Sequence, residues 1–170
     1  MVPLRRGQVL WQQKKPTEAY AVAAKIREDY PNFQQQYEVD YLIGRCLVSR
    51  ADLQGAREAF QRVIRSPSGD KTETEAIAHW MIGETYFLQK NYEAAMREYL
   101  KVEILYAYPI WQGLALLQAG KCRELLGELK EAHKLYSRLL KNYPDTPSAE
   151  KARGRLSAAT ARRDVDNKSD

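Results

Sequence analysis

Four glycines set the period of this chain. Gly7, Gly44, Gly83 and Gly120 are separated by 37, 39 and 37 residues, and twelve residues beyond each stands an alanine, at 19, 56, 95 and 132, with the same three intervals. Two markers that share one period indicate four copies of one unit. The clearest copy runs from Glu75 to Pro109. Apolar residues recur three and four apart up to Phe87, a break follows at Gln89-Lys90-Asn91, and the same spacing resumes from Tyr92. That pattern predicts two amphipathic helices joined by a tight turn. Such a pair cannot bury its apolar faces alone, so neighbouring copies must supply the missing surface.

The small residues are expected where helices approach closely, the glycine of the first helix admitting the backbone of the second. Bulky residues fill the adjacent space: Leu10 and Ile26; Leu47, Phe60 and Val63; Tyr86, Tyr99 and Val102; Leu135, Tyr136 and Leu139. Tyr30-Pro31, Ser66-Pro67, Tyr108-Pro109 and Tyr143-Pro144 are read as the closing residues of the units, because proline removes a donor and disfavours helical geometry just before it. Asp52 and Asn91 are good N-caps, and Gly127 suits a helix C-terminus. Thr146 with Pro147 predicts the start of a ninth helix. Its stripe of Ala149, Ala152, Leu156 and Ala159, with Lys151, Arg153, Arg155, Arg162 and Arg163 elsewhere, reads as a solvated cap.

A small residue, an aromatic or leucine three later, an alanine at twelve, an aromatic four beyond and a closing proline resemble the tetratricopeptide repeat. The third copy carries this as Gly83, Tyr86, Ala95 and Tyr99, and the fourth as Gly120, Ala132, Tyr136 and Pro144. The units are longer than the standard one, and the slot after the glycine holds Leu10, Leu47 and Arg123 in the other copies. The resemblance implies an all-α fold, a right-handed superhelical solenoid of antiparallel helix pairs. Its expected organisation is a single domain over 1–163, with repeats at about 1–31, 37–67, 76–109 and 113–144. A capping helix at 146–162 and a flexible tail at 164–170 complete it. In style, units that begin after Tyr-Pro resemble bacterial envelope proteins of this class, such as the Tol-Pal system coordinator and outer-membrane assembly lipoproteins. A periplasmic or envelope location is the expectation from that style, and a cytoplasmic one if the chain is complete as given.

In the family the first helices line a concave groove. Carried over by register, the groove residues expected here are Trp11, Tyr41, Arg45, Trp80, Glu84, Phe87, Leu117 and Lys121, with Leu4, Gln8, Gln12, Glu38 and Ile77 among their neighbours. Aromatic and arginine side chains are the anchors that protein-binding surfaces favour. The carboxylate clamp of the chaperone-tail receptors is absent apart from Arg45, since the matching places carry Tyr41, Leu114 and Gln118. The expected function is therefore a non-catalytic scaffold that binds a segment of another protein in this groove, in a bacterial envelope assembly. The alternative is a structural, self-assembling piece of a longer repeat protein, and homo-oligomers are compatible with either.

Other chemistry finds little support. His79 and His133 belong to no metal or triad spacing, no glycine-rich phosphate loop is present, and neither a cofactor nor a small-molecule substrate is expected. Cys46 and Cys122 fall at one register of non-adjacent repeats and read as small buried hydrophobes rather than a bridge or zinc site. The net charge of +5 is concentrated towards the ends. A basic helix without aromatics makes nucleic acid an improbable partner. No apolar run is long enough for a membrane span.

Overall fold

A computed structural model of the chain describes residues 4–166, with side chains described through residue 158. Met1, the side chains of Ala159, Arg162 and Arg163, and residues 167–170 lie outside the described residues. The helices are α1 (Leu4–Gln12), α2 (Pro16–Asp29), α3 (Gln36–Ser49), α4 (Leu53–Ile64), α5 (Glu73–Leu88), α6 (Tyr92–Leu105), α7 (Pro109–Leu125), α8 (Leu129–Asn142) and α9 (Pro147–Asp166). A short 3-10 turn at Pro67–Gly69 lies between α4 and α5. No strand occurs among the described residues, so the fold is all-helical. Two compact units divide the chain, residues 1–89 with α1 to α5 and residues 90–170 with α6 to α9.

In the first unit α1 packs on α2, α2 on α3, α3 on α4 and α4 on α5, while α1 and α5 each also touch α3. The first helices of successive repeats therefore lie side by side. In the second unit α7 packs between α6 and α8, and α9 contacts both α7 and α8.

The turns inside the repeats share one device. Lys14, Ala51, Lys90 and Gly127 have φ of 60°, 61°, 60° and 80°. After α7 the Gly127 N–H donates to the Glu124 carbonyl and the Glu128 N–H to the Arg123 carbonyl. This is a Schellman closure, which satisfies carbonyls that the helix end leaves open. The same pair of bonds closes α1 through Lys14 and Lys15, and α3 through Ala51 and Asp52. Glycine is the residue suited to that conformation, yet only the fourth turn has it. The following helices start as expected, with Asp52 accepting from the Gly55 N–H and Asn91 from the Ala94 N–H. Thr72 caps α5, and Glu75 at its third position reaches back to accept the Lys71 N–H at 2.6 Å.

The prolines correct one expectation. Pro109 does not close a helix: α6 ends at Leu105, and Pro109 is the first residue of α7. Its missing N–H is harmless there because the first turn of a helix has no intrahelical acceptor for it.

Two of the glycines act differently from the expectation. What lies against Gly44 is not a backbone but the ring of Phe60, sixteen residues on; a Cβ at Gly44 would fall 2.5 Å from Phe60 Cε1 and 2.8 Å from Cδ1. Gly120 faces the ring of Tyr136 in the same way, again sixteen residues on. Both rings are fully buried. In the first repeat that slot holds Ala23, too small to cover Gly7. Leu42 from the next repeat comes closest instead, its Cδ2 lying 2.8 Å from where a Cβ would be, with Val22 Cγ1 of α2 at 3.5 Å and the Ala19 carbonyl oxygen at 3.7 Å.

Buried polar groups are used to join helices. Asp40, 4% exposed on α3, accepts from Arg27 of α2 and, at 2.7 Å, from Arg62 Nε of α4. In the second unit Glu103 of α6 takes both Nε and Nη2 of Arg138 on α8. Arg155 of α9 pairs with Glu124 of α7. Arg57 is buried without a carboxylate; it donates to Gln54, Thr85 and Gln89, and its guanidinium lies over the Tyr86 ring.

Candidate functional site

The register that places residues three before each glycine holds Leu4, Tyr41, Trp80 and Leu117. All four were expected to face the groove, but Leu117 does not, and Leu4 contributes only a margin to the hollow described below. Leu117 is 1% exposed and belongs to a core cluster with Leu116, Tyr136, Ala149 and Ala152, and Leu4 is 7% exposed. The reason is side-chain length. The root of this position lies inside, so a leucine ends in the core, whereas Tyr41 and Trp80 are half-buried and reach past it. Leu117 therefore presents no surface to a partner.

The register one residue after each glycine holds Gln8, Arg45, Glu84 and Lys121, all polar. Gln8 is exposed and the others half-buried. Trp80, Glu84 and Phe87 stand four and three residues apart on α5, which puts them on one helix face. Lys121 stands on α7 in the second unit.

Three of the expected residues are brought together directly. The Arg45 guanidinium carbon lies 4.5 Å from the centroid of the Trp11 ring and 5.5 Å from that of Tyr41. Each such contact contributes about 0.5–1 kcal/mol near a surface. Trp11 and Tyr41 rest on the core of the first unit, and the Tyr41 ring tilts at 49° against Phe60. The guanidinium is thus fixed by its faces. Its N–H edge makes no hydrogen bond or ion pair among the described residues.

These side chains line a cleft of about 330 Å³ between α1 and α3, shared with Gln8, Gln12 and Glu38. Glu38 accepts a 2.6 Å hydrogen bond from the Thr74 hydroxyl and makes no ion pair among the described residues. A wider hollow of about 570 Å³ shares Gln8 and Glu38, and adds Arg5, Phe33 and Gln35. Phe33 and Gln35 were not anticipated, since they lie in the connection between α2 and α3, outside the helical register. The one available signal was an aromatic residue in a stretch of turn formers. Tyr41 loses its proton less readily than a free tyrosine, because burial disfavours the phenolate; Arg45 opposes this and Glu38 and Glu73 add to it.

No three His, Cys, Asp or Glu side chains among the described residues are grouped to hold a metal ion. His79 is buried and His133 half-buried. Both cysteines are buried, and neither is joined in a disulfide. No helix among the described residues is long and apolar enough to cross a membrane.

Family models described as tetratricopeptide repeat match residues 4–71 and 41–109, and a second such model matches residues 114–146. The chain belongs to the tetratricopeptide repeat family. Tetratricopeptide repeats serve in general as protein-interaction scaffolds, and the match supports a role of that general kind. No curated protein matches the sequence. Solved structures resemble it in fold. The crystal structure of PilW, a widely conserved type IV pilus biogenesis factor, superimposes with a TM-score of 0.70 at 16% identity, over 87% of this chain and 64% of that one. The chain thus spans less than two thirds of PilW. MamA gives 0.69 at 18% identity over 93% and 86%. The nearly identical repeats of a putative kinesin light chain from Podosopora anserina give 0.71 at 11% identity over 97% and 88%. At these identities the likeness establishes a helical-repeat solenoid fold and nothing finer.

Proposed function

We propose that this tetratricopeptide scaffold holds an extended segment of a partner protein in the cleft between α1 and α3, against Trp11, Tyr41 and Arg45. The segment would continue over the face of α5 that carries Trp80, Glu84 and Phe87. The observation that supports this reading is the Arg45 guanidinium, fixed between two aromatic faces with its hydrogen-bonding edge unused. An arginine so held loses little further freedom on binding, which is the condition for an effective anchor. The test is to screen random synthetic decapeptides against the full chain and measure the best binders by fluorescence anisotropy. Arg45→Ala is expected to weaken them about tenfold, the effect of one charge-assisted contact, while lowering the thermal midpoint by only the few degrees that its two ring contacts supply. Binders indifferent to both Arg45→Ala and Trp11→Leu would refute the assignment.

We further propose a bacterial cell-envelope assembly as the setting. The lengthened repeats that begin after Tyr-Pro support it, together with the likeness in fold to a pilus biogenesis factor. Cell fractionation with an antibody against the chain checks this, and recovery in the cytosol alone would refute it.

A further inference from the structure

The cleft holds two charges of opposite sign that are not paired with each other. Glu38 and Arg45 stand seven residues apart on α3, close to two full turns, so they share one face with Tyr41 between them. Their separation along the axis is about 10 Å at 1.5 Å per residue. That is too far for an ion pair, and neither has an oppositely charged partner among the described residues. Both are half-buried in the same cleft, where a charge is screened less than on an open surface. The cleft therefore has an acidic end and a basic end, with the Trp11 and Tyr41 rings at the basic one. Arg5 lines the adjoining hollow beside Glu38 without forming an ion pair with it among the described residues, and its charge is more exposed.

We infer that the bound segment is extended and carries one acidic and one basic side chain about three residues apart, the acid on the Arg45 edge and the base on Glu38. In the extended polyproline II form a chain advances about 3.1 Å per residue with three residues per turn, so side chains three apart share one face and stand about 9 Å apart, close to the separation of the two charges. The Gln8 and Gln12 amides, one turn apart on α1, face the same cleft and can hydrogen-bond the segment's backbone. This inference rests on the cleft being the binding site, and it adds the chemistry that selects the occupant.

The test uses the full chain and fluorescein-labelled peptides of eight residues, in which one Glu and one Lys are set one to five positions apart in both orders on a Ser/Ala background with a central Leu. Binding is expected to peak at a spacing of three in one order, and to fall about tenfold when either charge is replaced by alanine or the order is reversed. The double variant Glu38→Arg with Arg45→Glu is expected to reverse the preferred order. Near-equal binding at every spacing, or an unchanged order in the double variant, overturns the inference. If those peptides nevertheless lose affinity on Trp11→Leu, the cleft remains the site and only the charge rule fails; if no peptide binds, both readings fall. Circular dichroism of the double variant confirms its helix content before binding is scored.

Discussion

Gly44→Ala is the sharpest test of how the repeats pack. In an exposed helix interior this change stabilises by about 1 kcal/mol, because alanine is the better helix former. Here the added methyl would lie 2.5 Å from Phe60 Cε1 and 2.8 Å from two other ring atoms, against the 3.5–4.0 Å at which carbon atoms rest. Relief needs a ring movement of about 1 Å, and Phe60 is fully enclosed between helices. Overpacking of a filled core costs about 1–3 kcal/mol, and a contact this short belongs at or above the top of that range. After the propensity gain we expect a net loss of about 2 kcal/mol, or a drop of some 4–8 °C in the melting midpoint for a chain of this size. Urea titration followed at 222 nm measures it, provided that the slope is unchanged. In a Phe60→Leu background, where the outer ring atoms are gone, Gly44→Ala should become neutral or stabilising. The coupling between the two sites should then exceed about 1.5 kcal/mol. Additive effects, or a stable Gly44→Ala single variant, would refute the ring-on-glycine account.

Ala51→Gly should stabilise by about 0.5–1 kcal/mol, because Ala51 sits at a φ of 61° that glycine adopts without strain, whereas Gly127→Ala should lose about 1 kcal/mol; urea midpoints report both. Asp40→Ala leaves Arg27 and Arg62 without their shared carboxylate and should cost about 2–3 kcal/mol in chemical unfolding, less than for fully enclosed partners because both arginines are partly exposed. Arg57→Lys should cost about 1–2 kcal/mol, since one ammonium cannot reproduce a planar fork that serves Gln54, Thr85 and Gln89 while lying over Tyr86. Burial pushes the Cys46 thiol up to about 11 from 9. The folded state then holds a proton that the unfolded state releases, so stability should fall as pH rises from about 9 to 11, and Cys46→Ala should flatten that part of the curve.

The period, the helix pairs and the caps were legible because each depends on residues close in sequence. Asp52, Asn91 and Gly127 announce helix ends through their own side chains or backbone freedom, and the structure uses all three. What lay against the glycines was harder to see. The interval from Gly44 to Phe60 is visible in the sequence, but whether a ring or a backbone fills the gap depends on the distance between two helices. The site divides in the same way. Register alone put Tyr41 and Leu117 in one class, and only side-chain length separates the tyrosine that reaches the cleft from the leucine that ends in the core. Phe33 and Gln35 were hidden because they come from a connection, where no helical period applies. The stacking of Arg45 on Trp11 joins residues from two repeats, a pairing that periodicity permits without selecting.

The use of Leu42 to cover Gly7 has a consequence for synthesis. Where Phe60 and Tyr136 close their own repeats from within, the first helix pair has only Ala23 at that place and draws its filler from α3. During synthesis α1 and α2 leave the ribosome's exit tunnel before Leu42 does. During that interval Gly7 is flanked by Val22 alone among side chains, and the surface that Leu42 will cover is available to chaperones or to a neighbouring nascent chain. The first repeat gains its closest filler only once the second has begun to emerge, so the last packing step of this unit is expected to run backwards, against the direction of translation.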